Sequence, residues 1–196
     1  MIPGGSWNAA QTAFTGNLYL PTSSPFNAYD KAQFRINASV GSATVTYTGI
    51  GTASLAYTIN GVSGVKSIQR QLFATDDGQP RLQVYDLWWA GSQEDGWGMN
   101  IAQQGRVLFP VWYTYDASGK AVFFAVPGGT WNGSTFTGDI YSTVASPWLG
   151  APYDPSLFRA NLVGSMTLSF VDQSNAVMRY TVNGVTQTKN IVRQPY

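Results

Sequence analysis

The sequence predicts an all-β protein, and three observations carry that expectation. Apolar residues recur with a period of two, Asn-Gly pairs punctuate the apolar runs, and a long block of the chain occurs twice. Met166, Leu168 and Phe170 fall on one face of a strand with Thr167 and Ser169 on the other. Ala43, Val45 and Tyr47 against Thr44 and Thr46 repeat that division. Asn60-Gly61 and Asn183-Gly184 each lie between two such runs. A type I′ hairpin turn needs positive φ at both central residues, which Asn and Gly tolerate. No window shows the 3.6-residue period of an amphipathic helix.

Laid on itself, the chain is one and a half copies of a single unit. Pro3-Gly4-Gly5-Ser6-Trp7-Asn8 returns as Pro127-Gly128-Gly129-Thr130-Trp131-Asn132, and Ser24-Pro25-Phe26 returns as Ser146-Pro147-Trp148. Val40 to Gln71 matches without gaps at an offset of 123, most clearly where Tyr57-Thr58-Ile59-Asn60-Gly61-Val62 becomes Tyr180-Thr181-Val182-Asn183-Gly184-Val185. Residues 84–126 have no earlier copy. The chain thus divides into a back half-unit at 3–73, a linker at 74–83 and a complete unit at 84–196. That unit consists of a front half (84–126) and a second back half (127–196). Four strands per half-unit give about twelve in all, and a complete unit becomes an eight-stranded antiparallel meander, a number that closes into a small barrel. The expectation is that the chain is cut from a longer tandem protein; the alternative is a native half-unit that completes something else.

In chain order, the linker Ala74-Thr75-Asp76-Asp77-Gly78-Gln79-Pro80 has turn chemistry and no apolar pattern. Val107–Tyr113 and Ala121–Val126 are apolar on both faces, so this hairpin is predicted to be covered on its outside as well. The extra half-unit is the obvious cover and a second chain the alternative. Asp116–Lys120 reads as its loop, and Pro110 implies a bulge or an edge position.

Composition narrows the function. Of 196 residues 44% are hydrophobic and 11% charged, with a net charge of +1 and neither His nor Cys. The absence of His and Cys excludes Ser-His-Asp triads, thiol catalysis and zinc, haem or iron–sulfur ligation through those residues. No cofactor and no metal site are predicted. No basic stripe suggests nucleic acid, and no apolar run reaches the ~20 residues of a spanning helix. Low charge with abundant Thr, Ser, Asn, Gln and Gly suits a secreted or cell-surface protein whose export signal lies outside this chain.

The densest motif is Leu87-Trp88-Trp89-Ala90-Gly91-Ser92-Gln93-Glu94-Asp95-Gly96-Trp97-Gly98. Adjacent Trp88 and Trp89 point to opposite faces of a strand, so one of them should be exposed or cover a neighbour. Exposed indoles beside polar groups suit sugars, the ring stacking on the C–H face while the polar groups take hydroxyls. Trp88, Trp89, Trp97, Glu94, Asp95 and Asn100 are therefore the expected ligand-binding residues, against the simpler reading that Trp97 and one of the pair plug a barrel end. Glu94 is the only Glu; a glycosidase would pair it or Asp95 with Asp86, and this is the third reading. Lys189, Ile191 and Arg193 (like Lys66, Ile68 and Arg70) alternate onto one strand face. They form either a basic ladder or a rim with packed stems.

Two resemblances follow from these residues. Trp7 with Arg70 and Trp131 with Arg193, each Trp after a Gly-Gly pair and each Arg on a last strand, resemble the calycin signature of lipocalins and avidins. In that signature a basic side chain closes the barrel end over an indole. The contact is worth about 0.5–2 kcal/mol and makes these two structural pairs. Gly96-Trp97-Gly98-Met99-Asn100-Ile101-Ala102-Gln103-Gln104-Gly105, with Leu108-Phe109 and Trp112-Tyr113-Thr114-Tyr115-Asp116, resembles a Trp/Gly-rich tandem repeat of secreted proteobacterial proteins. That resemblance implies secretion and an all-β unit, and carries no residue roles. The leading functional expectation is a non-catalytic module binding a polysaccharide or cell-surface glycan. A structural or adhesive repeat that homodimerises through the unpaired strands of its half-unit is the alternative.

Overall fold

The computed structural model describes residues 1–75, 82–147 and 149–195. Residues 76–81 of the linker, including the Asp76-Asp77 pair, and Trp148 of the second Ser-Pro-aromatic motif lie outside the described residues. The protein is all-β and antiparallel. The first half-unit contains β1 (Ser6–Trp7), β2 (Ala13–Tyr19), β3 (Ser39–Gly49), β4 (Thr52–Ile59) and β5 (Val62–Gln69). The front half contains β6 (Asp86–Trp89), β7 (Gly98–Gln104), β8 (Val107–Tyr115) and β9 (Ala121–Ala125). The second back half contains β10 (Thr130–Asn132), β11 (Thr135–Val144), β12 (Arg159–Phe170), β13 (Asn175–Val182) and β14 (Val185–Arg193). The described strands exceed the expected twelve because the Gly-Gly-x-Trp segment of each back half forms its own short strand. Trp7 pairs with Phe14 and Trp131 with Phe136. Asn8 makes the first of these turns tight by accepting the Thr12 and Ala13 N–H groups on its side-chain oxygen.

The described chain forms two compact units, each discontinuous in sequence. Unit 1 consists of Met1–Pro21, Arg35–Gln71 and Ala145–Leu157; unit 2 consists of Thr22–Phe34, Leu72–Val144 and Phe158–Tyr196.

Unit 2 holds a closed barrel. Strands β6 to β9 and β11 to β14 run as a meander in which β9 pairs with β11 and β14 returns to β6. The seams between the two halves are short. Tyr141 pairs with Ala125 at one, and Val192 with Trp89 and Arg193 with Trp88 at the other. Ladder hydrogen bonds alone are therefore a thin closure, and the shared interior holds the halves together. Met99, Trp112 and Phe124 from the front and Phe136, Leu168 and Met178 from the back are all buried in one core, each worth about 1.5–3 kcal/mol of transfer free energy. Pro110 occupies neither a bulge nor an edge. It continues the β7–β8 register opposite Ile101 and lies at the end of the β9 pairing, where its carbonyl accepts the Val126 N–H (2.9 Å). The Val126 carbonyl that its missing N–H leaves free is taken by the Gly128 N–H (2.9 Å).

Unit 1 holds an open five-stranded sheet in the order β1-β2-β3-β4-β5. Its hairpins match those of the barrel: Asn60 and Asn183 carry φ of 50° and 48°, each followed by a positive-φ Gly, as the turn chemistry requires. The β2–β3 loop and the β11–β12 loop also share a local design. Asp30 N–H donates to Ser24 Oγ (2.6 Å) and Asp154 N–H to Ser146 Oγ (2.9 Å). Both aspartates then cap a short 3₁₀ turn, accepting from Ala32 and Ser156 N–H. These two loops are distributed crosswise. The loop between β2 and β3 supplies Thr22–Phe34 to unit 2, and the loop between β11 and β12 supplies Ala145–Leu157 to unit 1.

Candidate functional site

The end of the Trp-rich segment, Ser92 to Trp97, lies at one mouth of the barrel, and that mouth is occupied by the Thr22–Phe34 segment. Thr22 bridges to Lys120 at the β8–β9 turn, and Phe26 N–H donates to the Tyr115 carbonyl (3.1 Å). The Phe26 ring meets Trp112 at 5.7 Å, Phe124 at 6.0 Å and Tyr180 at 6.1 Å, all edge-on. Edge-to-face geometry of this kind contributes about 0.5–1.5 kcal/mol per pair beyond burial. The backbone around it is held as well: Tyr180 Oη donates to the Phe26 carbonyl (3.1 Å) and Gln187 Nε2 to the Asn27 carbonyl (2.9 Å). Tyr29 Oη donates to the Asp95 carbonyl (2.6 Å), and Lys31 donates to the Ser92 carbonyl and pairs with Asp95 (3.4 Å). Phe34 lies against Gly96, whose φ is 104°. A Cβ there would come within 2.4 Å of the ring, so only glycine fits both the turn and the contact.

The charged groups of the mouth are consumed by this arrangement. Lys189 Nζ reaches both oxygens of Glu94 (3.0 and 2.8 Å), and Glu94 also accepts the Trp97 indole N–H (3.0 Å). The ammonium lies 5.8 Å from the Tyr29 ring and 6.0 Å from Trp97, within cation–π range. Burial, reinforced by the carboxylates of Asp95, Glu94 and Asp30, pushes the Tyr29 hydroxyl up to about 12. Burial and Tyr29 push Tyr115 up to about 12, and burial with Glu94 raises Tyr180 as well. The hollow left among Phe26, Tyr29, Trp97, Trp112, Thr114, Tyr180 and Lys189 is about 10 Å³. A sugar ring or a drug-sized ligand needs some hundreds of Å³, so with the loop in place this mouth holds neither.

The expected binding residues are therefore not one surface. Trp88 and Trp97 are buried, contrary to the exposed indoles expected for sugar stacking. Trp88 faces inward opposite Met99 and donates its N–H to the Val84 carbonyl (2.9 Å), while Trp97 packs edge-on to Trp112. Trp89, its parity reversed, is half-buried, and Asn100 is exposed on the same outer side. Glu94 and Asp95 are brought together with the loop through Lys189 and Lys31. Asp86 lies elsewhere on β6, with its carboxylate accepting the Leu87 N–H (2.9 Å). Lys189, Ile191 and Arg193 do share one face, as alternation requires. Arg193 lies over Trp88 (5.7 Å) and Tyr85 (5.9 Å). Trp131 packs on Phe136 and Phe170 and donates to the Arg106 carbonyl (2.7 Å). In unit 1 Trp7 stacks on Tyr47 (5.8 Å, 19° between planes). The basic group over an indole is present, but in the complete unit it joins Arg193 to Trp88.

Sequence reasoning missed Phe26, Tyr29 and Lys31, which sit in a loop without periodicity. The signal that could have found them is the repeated Ser-Pro-aromatic motif, since an aromatic kept in both copies of a loop needs something to pack on. The hairpin expected to be covered on its outside is open there at Tyr113 and Phe123, a directly opposed pair on β8 and β9 that is 50% and 47% exposed. Further along that outer face Phe109 is met by Phe73 at 5.6 Å. Among the described residues no helix is long and apolar enough to cross a membrane. Comparison with known proteins returned no matching family model, no matching curated protein and no matching solved structure.

Proposed function

We propose that this chain is a non-catalytic structural and interaction module of a secreted or cell-surface bacterial protein, built from tandem repeats whose barrel mouths receive polypeptide loops. The observation supporting this reading is the seating of the aromatic loop 22–34 in the mouth, with ring contacts, backbone hydrogen bonds and two ion-paired lysines. The two loops carry the same Ser–Asp latch, and each is grouped with the unit that does not hold its flanking strands. The Glu94 carboxylate is held by Lys189 and Trp97, so it serves as the electrostatic floor of the socket. The test is intrinsic tryptophan fluorescence. Phe26→Ala should red-shift emission by admitting water to Trp97 and Trp112, while a panel of soluble polysaccharides leaves the wild-type spectrum unchanged. A saturable sugar response that Trp97→Phe abolishes would overturn the reading.

A second reading, glycan binding, keeps a specific observation on its side. On the outer face of the barrel Trp89, Gly98, Tyr113 and Phe123 succeed one another across β6 to β9, with Asn100 exposed in the neighbouring row. Glycine between aromatics leaves a shallow slot in which a sugar ring could stack. This predicts a polysaccharide response lost on Tyr113→Ala and kept in Trp97→Phe; its absence across the panel removes the second reading.

A further inference from the structure

We propose that the open sheet of unit 1 is the acceptor half of a second eight-stranded barrel. Its occupant is a four-stranded front half of the same repeat type as Asp86–Ala125, entering the chain ahead of Pro3. The inference concerns unit 1 alone and does not depend on what the mouth of unit 2 binds.

Three observations carry it. The first is the state of the sheet's apolar face. Position for position, Tyr47 corresponds to Phe170 and Ile68 to Ile191. The barrel residues are 3% and 1% exposed, whereas Tyr47 and Ile68 are 53% and 40% exposed. Val45 and Leu55, counterparts of the fully buried Leu168 and Met178, are only half-buried. The same alternation is present in both copies; in the first, Ala43, Ala53 and Tyr57 of that face are buried while Tyr47 and Ile68 are left exposed. What covers the face in the other copy is the front half, through Met99, Trp112 and Phe124.

The second observation is an edge without a partner strand among the described residues. In the barrel β14 takes β6 at Val192 and Arg193. The counterparts Gln69 and Arg70 lie at the end of β5, the outermost strand of its sheet. Edges of this kind attract a strand.

The third is the opposite seam, where the occupant's last strand is already begun. Met1 exchanges backbone hydrogen bonds with Tyr19 (2.8 and 2.9 Å), in the place where Ala125 pairs with Tyr141. Ile2 follows as Val126 does. Its Cγ2 lies 2.4 Å from where a Cβ on Gly16 would be, and Val126 Cγ1 lies 2.5 Å from the same point on Gly138. Met1 and Ile2 thus stand as the final residues of a β9-type strand. A second copy's β5 would have to displace them to close the sheet symmetrically, which selects a front half over a symmetric dimer.

The experiment compares the chain as it stands with a chain in which a second copy of residues 84–126 replaces Met1–Ile2 and runs into Pro3. Amide hydrogen exchange is followed along β5, and each chain is made with and without Ile68→Lys. The expected result is at least tenfold slower exchange on β5 in the extended, monomeric chain. Ile68→Lys should then erase that protection in the extended chain while leaving the shorter chain's exchange almost unchanged. Three results overturn the proposal: unchanged β5 exchange on extension, an added segment cut by protease at the rate of an unfolded peptide, or a dimer of the shorter chain that protects β5 by itself.

Discussion

The barrel of unit 2 and the open sheet of unit 1 are built from the same back half-unit, with the same hairpins, the same Asn-Gly turns and the same alternation, yet only one has a full interior. In the barrel, Phe136, Leu168, Phe170 and Met178 are closed over by the front half. In the sheet, Phe14, Val45 and Leu55 stay half-buried and Tyr47 is exposed. The difference teaches that the strand pattern specifies a sheet with an apolar face and leaves open what closes it. Hairpin register is local, because each turn fixes its two strands. Closure is not local: both seams of the barrel are short, and the interior behind them supplies the driving force.

The strongest way to break this comparison is to empty the interior of one unit and to remove an exposed ring from the other. Trp112 is fully buried against Phe26, Phe124 and Tyr180. Trp112→Ala should cost about 3–5 kcal/mol, the usual range for deleting a large buried aromatic. Trp7→Ala, which removes an exposed stack on Tyr47, should cost about 1 kcal/mol or less. Urea unfolding of the two variants decides it. Comparable losses would mean that the open sheet has a core of its own and that the contrast between the units is false.

A smaller effect is expected at the loop. Phe26→Ala removes three edge-on ring contacts from a half-buried site, for about 2–3 kcal/mol once partial exposure is allowed for. Amide hydrogen exchange in this variant should be faster at Gly96 and Trp97, since their turn rests on Phe34 and Tyr29. A variant as stable as the wild type would mean that the loop lies on the mouth without holding it.

These two sites also mark how far the sequence is legible. Strand class and both Asn-Gly hairpins are readable from residues within about a dozen positions of one another, because period and turn chemistry act over that range. The repeat is readable from two copies that match at an offset of 123, and the strand count of a unit follows from it. Parity at Trp88-Trp89 is readable too, since neighbours on a strand must diverge. Which of the two enters the barrel is not, because it depends on Met99 and Arg193, residues brought alongside by register. The occupant of the mouth is harder still. Phe26 reaches Tyr180 across the whole chain, and the loop that carries it has neither a period nor a charge run to announce a partner.

The alkaline limb of stability sharpens the comparison further, because the raised tyrosines of the mouth belong to the barrel. Tyr115 ionises near 10 when exposed and is held up to about 12 in the fold; Tyr29 behaves alike. As pH rises the unfolded chain loses these protons first. Stability is therefore complete below pH 10 and falls as pH climbs through 12, by about 2 kcal/mol for the buried Tyr115. Melting temperature against pH from 8 to 12, with the tyrosinate absorbance read in parallel, checks the sign. Tyr115→Phe also removes the hydrogen bond to the Gly96 carbonyl (2.7 Å), so its own stability should be lower at pH 8 and its decline on the way to pH 12 shallower. An equally steep decline would place the titrating group elsewhere.

The smallest effect tests the part of the comparison where the two units should agree. Asn60 and Asn183 hold the same left-handed conformation in the same kind of turn, and alanine at that φ costs about 1 kcal/mol. Asn60→Ala and Asn183→Ala should therefore loosen their own hairpins equally, read as matched increases in exchange along β4–β5 and along β13–β14. Equality would locate the whole difference between the units in closure, since the turns would then be interchangeable. If the Asn183 variant alone were protected from the effect, the barrel would be stiffening its hairpin from outside the turn. The register that alternation specifies locally would then be partly a product of the closed interior.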